Sequence, residues 1–371
     1  MTDTANEPAT APAIDPTWRP YSTNVELTLA CNLRCRHCGS SAGKPRPDEL
    51  STAQWIRVFS DLADLGGDEV CILGGEPLVR PDWEPLCRAV GDVGLGLVLI
   101  TNGWRIDDEV VRILKGLGHL RRVGVSLDAA DPAIHDDLRG RKGSHAKALT
   151  ALWALRDAGI ETGAITTVSR PNLGNLAALR DLLLGKDVTW QIQMATLGGA
   201  RFSDRDAIRP LEFHEVGRFI AACRTRYPVH ELPVAGSHDM GYFSREFAHV
   251  GELREWTGCI AGLYTLGILS DGRVKGCLSM HDDFIEDDLT QRPLADIWND
   301  PERFRRNRTF DPSQLQGGCR GCEHGAVCRA GCANTAYMST GSTFDNRFCF
   351  ARIERENAGA TGRGTDRKEP T

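Results

Sequence analysis

The 371-residue chain has no uninterrupted apolar run near the ~18 residues a bilayer crossing requires, which excludes a helical membrane protein. Its opening, Met1-Thr2-Asp3-Thr4, has neither the positive cap nor the apolar stretch of a secretion signal, so a soluble cytoplasmic protein is expected. It also lacks an excess of positive charge: 44 lysines and arginines face 50 aspartates and glutamates, for a net charge of -6. Such a surface offers no footprint for a nucleic-acid backbone, and neither nucleic acid nor membrane is expected as a partner. What the chain does have is apolar material, 41 % of its residues, enough for one large domain or two smaller ones. It also has thirteen cysteines, and in a reducing compartment clustered thiols argue for metal rather than disulfides.

Residues 1–20 and 356–371 carry little that could be buried and are expected as mobile tails. Between them, β-prone runs at 25–29, 70–73, 97–101, 122–127, 165–168 and 190–194 alternate with helical patterns. Ser51 is a good N-cap for a helix whose stripe of Trp55, Val58, Phe59, Leu62 and Leu65 must face a core before Gly66 stops it. A second helix starts near Ser144, carries Leu149, Leu152 and Leu155, and ends at Gly159. Six such β/α repeats predict an α/β fold in which a parallel sheet curves into a partial or complete TIM-like barrel, in short a partial (β/α)6 barrel over 21–226. Its functional groups should then lie on loops at the C-terminal ends of the strands. After about Arg226 the pattern changes. A hairpin turning on Ser270-Asp271-Gly272 and a short helix near Leu294–Trp298 precede a cysteine- and glycine-rich stretch, which suggests a small second domain over 227–355 that depends on metal for its shape.

Cys31, Cys35 and Cys38 form Cys-x3-Cys-x2-Cys directly after the first strand. Three thiolates so close can wrap one small inorganic object: a zinc ion if His37 supplies a fourth ligand, or a cubane iron–sulfur cluster with one iron left open. With His37 in its aromatic place, the loop resembles the Cys-x3-Cys-x-aromatic-Cys signature of the radical S-adenosylmethionine (SAM) enzymes, and the resemblance runs from about Val25 to Met194. Gly74-Gly75-Glu76-Pro77, at the end of the second strand, is similar to the family segment that contacts the amino group of the bound methionine moiety; glycines let backbone approach a ligand, and Glu76 can accept a charge-assisted bond from an ammonium. Asn102, Ser126 and Asp128 close the third and fourth strands, Arg139 resembles the arginine that pairs with the cofactor carboxylate, and Gln193 ends the sixth strand facing the barrel mouth; all five are candidate cofactor contacts. Asn102, Asp128 and Arg139 also suit helix caps or surface charges. The resemblance implies a [4Fe-4S] cluster that binds SAM and breaks its C–S bond, giving a 5′-deoxyadenosyl radical that abstracts hydrogen from substrate. A reductant such as flavodoxin or ferredoxin is implied as well.

A second array follows. Cys259 and Cys277, then Cys319-x2-Cys322-x5-Cys328-x3-Cys332, then Cys349 resemble the SPASM extension of radical enzymes that modify peptides and proteins. Taken alone, residues 319–332 also suit a four-thiolate zinc site. The resemblance implies two auxiliary [4Fe-4S] clusters, the outer on Cys319, Cys322, Cys328 and Cys349 and the inner on Cys259, Cys277 and Cys332. The inner one is a thiolate short, since 260–265 contains no cysteine. An aspartate that serves as base in sulfatase-maturing relatives is replaced by Leu278, which disfavours formylglycine formation. Cys71, Cys87 and Cys223 are expected as buried hydrophobes, and 238–242 as an ordinary polar loop. The expected function is radical modification of a ribosomally made peptide by cross-linking, oxidation or epimerisation. About twenty residues before the first strand are too few for a winged leader-binding domain, so a separate leader-peptide-binding protein is a further possible partner. The alternatives are a radical oxidoreductase acting on a small metabolite and a zinc-stabilised binding protein.

Overall fold

A computed structural model describes residues 17–195, 198–252 and 257–361. Residues 1–16 and 362–371, most of the two expected tails, lie outside the described residues. Strands and helices alternate as β1 (Ser22–Thr28), α1 (Thr52–Asp64), β2 (Glu69–Gly74), α2 (Trp83–Asp92), β3 (Gly96–Thr101), α3 (Asp108–Lys115), β4 (Leu120–Ser126), α4 (Pro132–Arg139) and α5 (Ser144–Asp157). They continue as β5 (Thr162–Val168), α6 (Arg170–Leu173), α7 (Leu176–Leu183), β6 (Thr189–Met194), α8 (Pro210–Arg226) and β7 (Val234–Gly236). Each of the six expected strands is present, a residue or more longer at its start.

Local chemistry explains the elements. The Ser51 hydroxyl accepts from the Gln54 amide while the Gln54 side chain accepts from the Ser51 amide, a reciprocal cap, and Trp55, Val58, Phe59 and Leu62 all turn inward. In α5 the buried face is Ala148, Ala151, Leu152 and Leu155, with Leu149 only half-buried. Small alanines let this helix lie close to the sheet, where Gly103 meets Ala148 and Ala151. Along β2 the alternation of strand side chains sends Val70 and Ile72 into the helix-covered core. Cys71 therefore faces the barrel interior, unlike Cys87 and Cys223, which are buried in helices as expected.

The sheet is open, with order β10-β9-β8-β1-β2-β3-β4-β5-β6-β7, where β8 is Thr265–Ile268, β9 Arg273–Lys275 and β10 Ile285–Asp288. β1 to β7 are parallel throughout, and β8 also runs parallel to β1, pairing Ser22 with Thr265 and Val25 with Ile268. The cysteine-rich part is thus joined edge to edge with the barrel. Gly272 turns the β8–β9 hairpin at φ +94°, a conformation that favours glycine. Glu26 of β1 locks this join: it is 1 % exposed and takes a two-point contact from Arg46 at 2.7 and 3.1 Å and the Ser270 hydroxyl at 2.8 Å. The remaining helices are α9 (Leu294–Trp298), α10 (Arg305–Arg308), α11 (Gly325–Cys328), α12 (Ala333–Thr340) and α13 (Phe350–Thr361). Two expected tail boundaries shift: Trp18 packs on the core, and α13 runs past residue 356 with Ile353 buried.

Candidate active site

The loop carrying Cys31, Cys35 and Cys38 leaves β1 at the C-terminal end of the barrel and closes on itself. The Cys31 amide donates to the Gly43 carbonyl at 3.1 Å, and the Gly43 amide to Leu29 at 2.9 Å. Glu49 braces the entry, accepting from the Leu29 amide at 2.8 Å and the Thr28 hydroxyl. The far side rests on the end of α4, where the Arg36 amide bonds the Leu138 carbonyl at 2.8 Å. Gly140 permits that approach, since a Cβ there would lie 2.4 Å from the Arg34 carbonyl oxygen.

Beneath the loop lies Asp128, 0 % exposed. Its Oδ2 is 2.7 Å from Arg139 Nε and 3.2 Å from His37 Nε2, while Oδ1 accepts from the Thr167 amide at 3.0 Å. Burial alone would raise this carboxyl, but the charges of Arg139 and His37 override it and hold Asp128 well below the usual carboxylate range. Arg139 reaches on toward Cys35 Sγ at 3.9 Å. Asp128, Arg139 and His37 are therefore joined into one support under the cysteine loop. His37 turns Nε2 to Asp128, while its buried Nδ1 has no hydrogen-bond partner among the described residues.

The other candidate contacts surround the loop. An added Cβ at Gly75 would lie 2.1 Å from the Ala30 carbonyl oxygen, so this glycine lets the β2 end pack against the loop's own backbone. Pro77 opens a short turn for which Glu76 is the cap. Glu76 is fully buried, with Oε1 accepting from Leu78 N at 3.2 Å and Thr101 Oγ1 at 2.8 Å, and Oε2 from Asn102 N at 2.8 Å. One lone pair on Oε2 is left for a further donor. The Asn102 side chain bonds Asn32 Oδ1 at 2.7 Å, tying β3 to the loop. Gln193 donates to Thr167 Oγ1 at 2.9 Å, and the half-buried Ser126 hydroxyl has no hydrogen-bond partner among the described residues.

The thiols suit a cluster. Burial pushes the Cys31 thiol up to about 11, with Glu76 and the neighbouring thiols adding to the rise. Thiolates here therefore need a positive partner, which iron supplies. Amide N–H groups already point at the sulfurs: Leu33 N lies 3.4 Å from Cys31 Sγ and Ala42 N 3.3 Å from Cys38 Sγ. Tetrahedral zinc at ~2.3 Å from each sulfur would bring sulfurs to about 3.8 Å of one another. Among the described residues no three cysteine sulfurs lie within 4.8 Å of each other. The grouping that does is His214, Glu246 and Glu354, and it is held by protein: His214 bonds Glu354 at 3.0 Å, Arg218 bonds Glu246 at 2.8 Å, and the Arg245 amide bonds Glu354 at 2.9 Å.

The later cysteines form two sets. Burial raises the pKa of Cys319, Cys328 and Cys349, and neighbouring thiols, Cys322 among them, lie close enough to add to each rise. Asn346, Gly331, Ala351 and Arg352 supply backbone N–H donors to three of them. Cys277 is near both Cys259 and Cys332. Cys332 caps α12, its amide bonded to the Tyr242 hydroxyl at 2.6 Å. Between the sets, Arg329 and Ala330 hold positive φ of 55° and 62°, a strained turn retained by Arg306 on the Arg329 carbonyl and Asn346 on the Ala330 carbonyl.

Three contributors had no clear signature in the sequence. Arg201, on the connection after β6, donates to the carbonyls of Cys35, Ser41 and Ala42 at 3.0, 3.2 and 3.1 Å, clamping the cysteine loop from above. Gly199 packs so tightly that a Cβ would lie 1.9 Å from the Cys38 carbonyl oxygen. Of residues 238–242, expected as an ordinary polar loop, Asp239 to Tyr242 are instead buried behind β7, while His238 is exposed. Asp239 Oδ2 accepts from Met194 N at 2.9 Å while its buried Oδ1 has no hydrogen-bond partner among the described residues, and the His238 ring lies beside the Cys332 thiol, near enough for their charges to interact. The only signal was the density of His, Asp and Tyr in five residues. A cavity of about 480 Å³ lined by Arg122, Gln191 and Tyr227 opens at the opposite, N-terminal end of the strands, away from these groups.

Comparison with known proteins agrees with this geometry. Residues 25–183 match the model of the radical SAM superfamily, and 259–323 match SPASM, an iron–sulfur cluster-binding domain. The chain is 30 % identical over 340 residues to an AdoMet-dependent heme synthase of Methanosarcina barkeri, covering 88 % of this chain and 95 % of that one. It is 32 % identical over 323 residues to a mycofactocin maturase of Mycobacterium ulcerans, covering 86 % and 85 %. Among solved folds, SuiB of Streptococcus suis bound to S-adenosylmethionine superposes with a TM-score of 0.71 at 18 % identity, covering 89 % of this chain and 76 % of that one. Identity of 30 % and 32 % to these relatives over more than four-fifths of the chain, with the radical SAM and SPASM matches falling on the barrel and the cysteine-rich module, shows that this chain belongs to the radical SAM superfamily.

Proposed function

We propose that the protein is a peptide maturase: it cleaves SAM at Cys31, Cys35 and Cys38 and uses the radical to cross-link, oxidise or epimerise a ribosomally made peptide. The observation that carries this reading is the auxiliary module, whose seven cysteines gather into two groups joined to the barrel through the β1–β8 pairing, together with identity to the maturase over 86 % of the chain. Cys31, Cys35 and Cys38 would hold a [4Fe-4S] cluster that, once bound and reduced, would supply the electron for splitting the sulfonium, and the later cysteines would hold two further clusters as electron partners. This chain's own residues shape the site. Asp128, Arg139 and Arg201 fix the loop, the free lone pair of Glu76 accepts from the cofactor ammonium, and Ser126 and Gln193 line the mouth. Reduction falls to a flavodoxin or ferredoxin in the cytoplasm, and a separate protein presents the leader of the peptide.

The test is coexpression with a short peptide encoded beside the gene. Loss of two hydrogens from the peptide, or deuterium uptake at an α-carbon, is expected, and Cys31→Ala should abolish both this change and 5′-deoxyadenosine release. The identity to the heme synthase, over 95 % of that protein, favours a second reading in which the substrate is a small heme precursor. Release of 5′-deoxyadenosine on adding such a tetrapyrrole, with the peptide unchanged, would establish it in place of the first.

A further inference from the structure

Cys259, Cys277 and Cys332 are three thiols for a cube that needs four ligands, and 260–265 offers no other cysteine. The missing ligand need not be near in sequence. β7 ends at Gly236, paired to Ile192 of β6, and the Ser237 amide continues that pairing by donating to the Ile192 carbonyl at 2.8 Å. The next residue, His238, therefore sits on the C-terminal rim of the barrel. Its position is held from both sides: Asp239 is anchored by Met194 N at 2.9 Å, and Met240 N returns to the Ser237 carbonyl at 2.9 Å.

Cys332 comes to this turn from the other domain. Its amide bonds Tyr242 Oη at 2.6 Å, and Gly331 is in contact with the same ring, where a Cβ would lie 2.0 Å away. The Cys332 sulfur then lies beside the His238 imidazole, near enough for their charges to interact, and Cys277 lies close to both. His238 Nδ1 is 3.1 Å from the Ser237 hydroxyl. That contact orients the ring and leaves Nε2 available, the arrangement in which a metal-ligating histidine has its second nitrogen held. His238 is itself exposed, whereas Asp239 to Tyr242 are buried.

We propose that His238 is the fourth ligand of the inner auxiliary cluster, completing a Cys259, Cys277, Cys332 and His238 set. The inference rests on there being such a cluster. A neutral imidazole in place of a thiolate makes the cluster less negative and raises its potential. It also closes the iron to substrate and places the cluster against the barrel mouth through β7.

Iron counting on the anaerobically reconstituted full chain comes first: roughly twelve irons are expected, four for each of three cubes. With Cys31, Cys35 and Cys38 replaced by Ala, pulsed EPR of the reduced chain should show a strongly coupled nitrogen that changes on 15N-histidine labelling. His238→Ala should remove the coupling. His238→Cys should remove it while keeping all auxiliary iron and lowering the potential. A full iron count without a histidine nitrogen, or a coupling that persists in His238→Ala, would overturn the ligand assignment alone. Iron for only two clusters, unchanged by Cys259→Ala, would remove the inner cluster and the ligand with it.

Discussion

Replacing Asp128 by Asn tests whether charge holds the cysteine loop in place. The substitution keeps the shape and an acceptor for Thr167 but removes the negative charge facing Arg139 Nε at 2.7 Å and His37 Nε2 at 3.2 Å. Arg139 is 7 % exposed and, among the described residues, faces no other carboxylate. Breaking a buried pair in this way costs about 3–5 kcal/mol, because a desolvated cation is left uncompensated. Removing both charges avoids that penalty, so Asp128→Asn with Arg139→Gln should be much less destabilised than the sum of the single variants. Urea unfolding of the cluster-free chain for all four members of the cycle measures this. A coupling within about 0.5 kcal/mol of zero, the ordinary scatter of additivity, would refute the electrostatic account. The pH dependence has a fixed sign. Asp128 is held below its unfolded pKa, so its contribution is present above the ordinary carboxylate range and lost as pH falls below it, and the double variant should lack that acid loss.

Gly75→Ala would place a methyl 2.1 Å from the Ala30 carbonyl oxygen, so the first cluster should be retained poorly, read as iron lost relative to wild type while the auxiliary iron stays. Arg201→Met removes three hydrogen bonds to loop carbonyls, each worth roughly 1 kcal/mol, and should speed loss of the first cluster to a chelator several-fold without changing the auxiliary clusters. His135 is pushed down to about 3 by burial and by the nearby Arg139 charge. Between that value and the ordinary ~6.5 the unfolded chain binds a proton the folded one refuses, so stability falls as pH drops through this window, and His135→Gln should flatten the slope seen in unfolding at pH 7 and pH 5.

The sequence by itself determined the local chemistry. Cysteine spacing depends only on neighbours along the chain, so the loop from Cys31 to Cys38 and the later array are legible without a fold. The same holds for the Ser51 cap, the inward stripe of α1 and the Asp-Gly turn at Gly272, each set by period or by one residue's backbone freedom. Tertiary structure decided what distant segments do to each other. In the sequence Asp128 and Arg139 suit cofactor contacts, helix caps or surface charges, and His37 a zinc ligand or the aromatic place of the signature; only the descent of α4 beneath the cysteine loop joins the three into a buried support. The glycine at 75 looked like room for a ligand, yet its closest neighbour is the chain's own Ala30 carbonyl. The pairing of β8 with β1 joins residues more than two hundred positions apart, which no local pattern encodes. His238 meets Cys332 for the same reason: burial of β7 against β6 and the Tyr242 contact fix both residues, and the energy that brings them together comes from packing between segments that share no sequence signal.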